Sequence, residues 1–177
     1  MRRTWIVLAA LATTLAGGVA QAQDSTTQNG VTLGGHIGFV LPLVTTAGGQ
    51  TTNLADQFSI GFPVGITVKG SGRLAFDFEL DPFINTTGTR TTTLTVAPGL
   101  LWGVGHGWTV GMRAAFDVNA ASWGFTPLLN HSWPIKREGS FFKSYFVEAD
   151  LPVRFNRTVG QPATDPVTFA MHFGLGF

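Results

Sequence analysis

One pattern constrains this chain more than any other. Bulky apolar residues alternate with small or polar ones through eight successive segments, and no Asp, Glu, Lys or Arg falls in the apolar phase of any of them. A period of two is the period of a β-strand, whose successive side chains point to opposite faces of a sheet. The segments are residues 31–43, 57–69, 73–81, 93–102, 108–118, 123–133, 144–155 and 167–177. In the first, Val31, Leu33, Ile37, Phe39, Leu41 and Leu43 share one face, and Thr32, Gly34, His36 and Gly38 share the other. In the last, Val167, Phe169, Met171, Phe173, Leu175 and Phe177 oppose Thr168, Ala170, His172 and Gly174. The fold expected is all-β: an eight-stranded antiparallel up-and-down transmembrane β-barrel.

The alternation alone would also suit a soluble barrel or sandwich with its apolar face inward. Eight strands enclose room for only a modest set of side chains. Here the apolar phase is mostly Phe, Trp, Leu, Ile and Val, while the other phase is rich in Gly, Ala, Ser and Thr. Small residues fit a narrow interior and large ones fit contact with lipid. The aromatic residues also sort by height: Trp102, Trp108, Trp133, Tyr145 and Phe177 fall near one rim, and Trp123, with Phe58, Phe125, Phe155 and Phe169, toward the other. Two such girdles mark the two interfaces of a membrane. The Gly-rich stretches 70–72 and 103–107 read as tight periplasmic turns, and residues 45–56, 82–92 and 156–166 as longer outer loops. Two connections depart from that rule, a short outer loop at 119–122 and a long inner turn at 135–143. Lipid offers no partners to unpaired backbone groups, so the sheet must close. Pro63, Pro98, Pro127 and Pro152 fall inside the strands, where each removes a ladder donor; bulges, local bends or earlier strand ends are expected there.

The N-terminus reads as a secretory leader. Arg2 and Arg3 precede an apolar stretch at 5–16, and Ala20-Gln21-Ala22 forms a small-residue cleavage site. An uncleaved anchor helix fits less well, because the run falls short of the ~20 residues that a span needs. Cleavage after Ala22 divides the chain into a signal peptide, 1–22, and an outer-membrane barrel domain, 23–177, which begins with a polar, turn-prone lead-in at 23–30. The expected location is the bacterial outer membrane, with both termini periplasmic. The chain has no Cys, which excludes disulfides and thiolate chemistry. A formal charge of +1 argues against nucleic-acid binding and polybasic membrane attachment.

With its eight alternating segments and a final strand that ends in Phe177, the chain resembles the small outer-membrane barrels of the OmpA/OmpX type. The resemblance is one of pattern and covers essentially all of residues 23–177. It implies outer-membrane lipid as the surroundings and a monomer as the state. It also implies recognition of the terminal aromatic strand by the outer-membrane assembly machinery. No peptidoglycan-binding domain is expected after the barrel, which departs from full-length OmpA proteins.

The strongest candidate for chemistry is the set of charges in the inward phase: Lys69, Arg73, Asp77, Glu79, Asp81, Arg113, Asp117, Glu148, Asp150 and Arg154, joined by His36 and His172. Unpaired charges in a dry interior are costly, so these groups are expected to pair or to hold water. A network of this kind would plug the lumen; the alternative is a gated polar path or small-ligand site. His36, His172, Glu148 and Asp150 are ligand types for a metal, but no local spacing supports one, and no metal or cofactor is expected. His131-Ser132 brings to mind a lipid-facing hydrolase site. Adjacent strand residues point to opposite faces, however, and no lipid-facing carboxylate completes a relay. The run Gly103-Val104-Gly105-His106-Gly107 opens no helix and fails as a phosphate loop. Asn85-Thr86-Thr87 and Asn156-Arg157-Thr158 read simply as loop sequence. The expected function is a structural or surface-contact role without enzymatic activity. The runner-up is a narrow channel or binding barrel for small solutes, and a lipid-modifying enzyme comes third.

Overall fold

The computed structural model describes residues 30–157, 159–160 and 163–177. The leader at 1–22 and the lead-in as far as residue 29 lie outside the described residues. Eleven strands form: β1 (Thr32–Ala47), β2 (Gln50–Asn53), β3 (Ser59–Gly61), β4 (Val64–Lys69), β5 (Leu74–Asn85), β6 (Thr91–Gly105), β7 (Trp108–Asp117), β8 (Ser122–Pro134), β9 (Ser144–Asp150), β10 (Val153–Asn156) and β11 (Val167–Gly176). They build the eight staves of one closed antiparallel barrel. Strands β3 and β4 are two parts of the second stave, which β2 extends upward; β9 and β10 are two parts of the seventh. Each stave pairs with the next in sequence, and β11 closes the barrel by pairing with β1.

The barrel is apolar outside and polar within. In β5, Phe76 and Phe78 are 46 % and 36 % exposed, whereas Asp77 between them is 0 % exposed. The same alternation sets Met112, 48 % exposed, beside Arg113, 3 % exposed. Packing a charge inside a sheet whose outer face is Leu, Ile, Val and Phe is the reverse of a soluble barrel.

The structure corrects the expected phase at one point. Leu43 does not continue the outward row of β1. The register against β11 shifts between Pro42 and Val44, so Val44 takes the outward position and Leu43 borders the upper lumen. A bulge sets two residues against one and inverts the parity beyond it. A second shift lies between Gly103 and Gly105, at the lower turn where Gly105, His106 and Gly107 all adopt positive φ.

None of the four flagged prolines makes a bulge. Pro98 pairs with Phe78 and Pro127 with Met112 in unbroken register. Pro63 and Pro152 split the second and seventh staves, yet the register is the same on both sides of each. Their carbonyls still accept: Gly38 N–H donates to Pro63 O (3.0 Å), and Thr168 N–H donates to Pro152 O (2.9 Å). Each proline therefore costs a donor without displacing the chain.

The outer ends are longer strands and shorter loops than expected. Residues 45–56 hold a hairpin, in which Thr45 pairs with Thr52 and Thr46 with Thr51 around Gly48 and Gly49, both at positive φ. Residues 82–92 likewise continue the ladder, with Pro82 opposite Leu94 and Asn85 opposite Thr91. These stretches are rich in Thr, whose branched Cβ suits a strand even where neither face is buried.

Candidate functional site

The inward face carries its charges at the same height from strands far apart in sequence. Strand β5 supplies Asp77 and Glu79, β7 supplies Arg113, β9 supplies Glu148 and Asp150, and β1 and β11 supply His36 and His172. Two glycines let them meet. Across the register, His36 lies opposite Gly65, and Gly65 opposite Glu79. Likewise Asp77 lies opposite Gly99, and Gly99 opposite Arg113. In both rows a charged or polar side chain passes over a glycine to reach the strand beyond. A β-carbon at Gly99 would sit 2.6 Å from Arg113 Cγ and 2.7 Å from the Met112 carbonyl oxygen; one at Gly65 would strike the His36 ring. Gly99→Ala therefore lowers the unfolding free energy by about 1–3 kcal/mol through overpacking. Gly103→Ala in the same strand leaves it unchanged, because that β-carbon meets nothing nearer than Arg73 O at 3.7 Å. Urea unfolding of the two variants in detergent checks the contrast.

Arg113 is the hub. Its Nε donates to Asp77 Oδ2 (2.8 Å) and its Nη1 to Glu148 Oε1 (2.7 Å), while Nη2 lies 3.5 Å from Glu79 Oε2. His36 Nε2 bonds Glu79 Oε2 at 2.8 Å, and Thr67 Oγ1 donates to Asp77 Oδ1 at 2.7 Å. On the far side Asn130 Nδ2 donates to Glu148 Oε2 (3.1 Å), and His172 Nδ1 lies 3.4 Å from Glu148 Oε1. Phe146 packs edge-on against both histidine rings, at 5.8 Å from His36 and 4.9 Å from His172. Four carboxylates (Asp77, Glu79, Glu148 and Asp150) are thus buried around a single buried guanidinium. The bonding is incomplete: Oδ1 of Asp81, Oδ1 of Asp150 and Nε2 of His172 are buried without a partner.

A cavity of about 290 Å³ lies above this layer, bordered by Asp81, Asp117, Asp150, Arg154 and His172. In it Thr95 Oγ1 donates to Asp117 Oδ1 (2.6 Å), and Arg154 Nη1 donates to Thr126 Oγ1 (3.2 Å). A second cavity of about 380 Å³ lies below, bordered by Thr67, Lys69, Asn130 and Ser132. Arg113 borders both. Lys69 and Arg73, expected among the lumen charges, stand apart from the central cluster: both are exposed at the lower end of the second and third staves.

Trp102, Trp108, Trp123, Trp133 and Tyr145 lie on the outside of the barrel, whereas Phe177, expected with them at the membrane interface, is half-buried and borders the lower cavity. Trp108 packs on His131 (4.4 Å), His131 on Trp133 (4.2 Å), and Trp133 stacks on Tyr145 (5.2 Å). Trp102, 47 % exposed, is opposite Leu74 at the same end. Phe177 stacks on Phe141 at 5.0 Å and covers Gly35, whose β-carbon would lie 2.7 Å from its ring. At the opposite rim Trp123 packs on Phe155 at 4.7 Å. His131 and Ser132 do not engage each other. The Ser132 hydroxyl faces the lower cavity near Gly107 O (3.5 Å), and His131 Nδ1 has no partner.

Phe146, Thr67 and Asn130 belong to the cluster; Thr67 and Asn130 fall in the inward phase of the sequence pattern, but none of the three is among the expected lumen charges. The signal for Phe146 is the glycine opposite it: a β-carbon at Gly174 would collide with the Phe146 ring.

Fold and polarity together define the class: a closed eight-stranded antiparallel barrel with an apolar exterior and a charged interior. No protein-family model matches the sequence, and the search of curated proteins returns no match. Among solved structures the chain is similar to the outer membrane protein OprG from Pseudomonas aeruginosa, at 10 % identity and a TM-score of 0.38, over 84 % of this chain and 96 % of that one.

Proposed function

We propose that this chain is a non-enzymatic barrel of the bacterial outer membrane whose lumen is closed by the Arg113 cluster. Its role is structural, or one of surface contact through the outer hairpin at 45–56 and the connection at 156–166. Export by a leader cleaved after Ala22, insertion guided by the terminal strand ending in Phe177, and a monomeric state belong to the same reading. The observation that carries it is the span of Arg113, which joins β5 to β9 through Asp77 and Glu148 and stands between the two cavities. On this reading, charged side chains tied across a narrow barrel block the path of an ion between the two cavities.

Those cavities also favour a second reading, a narrow channel or binding barrel for small solutes that enter from either end. Planar-bilayer recording separates the two. The expected result is a silent wild-type protein and discrete openings from Arg113→Ala. Reproducible openings of the wild type would overturn the closed-lumen reading in favour of the channel.

A further inference from the structure

Two sets of three side chains in the lumen could each gather around one ion: His36, Asp77 and Glu79, and Glu148, Asp150 and His172. The first set is already satisfied. His36 bonds Glu79, while Thr67 and Arg113 bond Asp77. The second is not. Asp150 is 5 % exposed, and its Oδ1 is buried without a hydrogen-bond partner. Burying a carboxylate oxygen with nothing to accept from is costly, so such groups are paired or bind metals.

We propose that Glu148, Asp150 and His172 form a binding site for a single first-row divalent cation, reached from the upper cavity. One ligand atom from each residue falls within 4.8 Å of the others. His172 Nδ1 and Glu148 Oε1 are 3.4 Å apart. Two ligands held at ~2.1 Å from a tetrahedral ion are themselves ~3.4 Å apart, so that edge of the site is formed in advance. Glu148 is held in place by Arg113 and Asn130, and its Oε1, which accepts from Arg113, has a second lone pair to offer the ion. One imidazole with two carboxylates suits Zn²⁺ or Mn²⁺ better than a soft ion. Asp150 and His172 both border the upper cavity, which gives the ion an entry path and water for its remaining positions. Charge points the same way: with neutral histidines, four buried carboxylates face one buried arginine, and a divalent cation offsets most of the excess. The site holds whether or not the lumen conducts.

The test uses the protein isolated from membranes in detergent, stripped with a chelator and dialysed against Mn²⁺ or Zn²⁺ alone, with bound metal read by mass spectrometry. The wild type is expected to bind one equivalent of at least one of the two ions. Asp150→Asn, which keeps the shape of the side chain, and His172→Gln are each expected to weaken binding on the order of 10–100-fold. Asp117→Asn, on the wall of the upper cavity, leaves it unchanged. Circular dichroism confirms that each variant is folded. Three results would overturn the site: no bound metal in the wild type, binding untouched by Asp150→Asn, or loss on Glu79→Gln as large as on Asp150→Asn, which would put the ion in the other set.

Discussion

Arg113→Met is expected to lower the unfolding free energy of the barrel by about 3–5 kcal/mol, the range seen when one partner of a buried charge cluster is removed. The substitution keeps the length and apolar stem of the side chain, so little of the loss comes from packing. What it removes is the only guanidinium among the described residues in contact with Asp77, Glu79 and Glu148, which are 0 %, 6 % and 2 % exposed. Stripped of that partner, the three carboxylates face one another in a space from which water is largely excluded. Adding Asp77→Asn and Glu148→Gln to Arg113→Met recovers much of the loss, because an uncharged layer pays no penalty for burying unpaired charge. Urea titrations of the single and triple variants measure both effects. A single variant within 1 kcal/mol of wild type would mean that the carboxylates find their compensation elsewhere.

The second large effect lies one residue away and on the opposite face. Met112→Arg puts the same cation on the exterior of β7, midway between Trp108 and Phe116. Arginine at the lipid midplane of a barrel costs about 2–4 kcal/mol and nearly nothing close to the interface. Met112→Arg is therefore expected to destabilise the barrel in phospholipid vesicles by that amount, and Trp108→Arg by far less of a charge penalty once its lost aromatic packing on His131 is measured with Trp108→Ala. Equal charge penalties at 108 and 112 would argue that the exterior is not lodged in a bilayer. Neighbouring positions in one strand thus give opposite answers to the same residue: arginine is required at 113 and excluded at 112.

How much of this was written in the sequence differs from feature to feature. The strands and their faces were legible, because a period of two is a local property and the outer phase carries no charge from end to end. The bulge at Leu43 was not, since it exists only in relation to Phe169 and Ala170 on β11, more than a hundred residues away. The outer strand ends were underestimated because Gly48–Gly49 and the Thr-rich runs look like loop sequence until their partners are known. The charged cluster was legible in phase but not in height. Lys69 and Arg73 share the phase of Asp77 yet end up at the lower mouth, and only the stagger between strands tells them apart. The two crossings over glycine were hidden for the same reason. Gly65 and Gly99 look like any other small inward residues until the register sets each one between the residues that meet above it.

That register has a consequence for how the molecule comes into being. Three bonds at the centre of the cluster, Arg113–Glu148, Arg113–Asp77 and His36–Glu79, link residues 35, 36 and 43 positions apart, and they unite the first, third, fifth and seventh staves. No hairpin can make them alone; each needs a large part of the circumference in place. A half-built sheet entering the bilayer would expose Asp77, Arg113 and Glu148 to hydrocarbon. The interior therefore couples closure to insertion, penalising any intermediate that reaches the membrane core as an open sheet. Contacts this distant form late, so weakening them should mainly speed unfolding and leave the rate of assembly little changed.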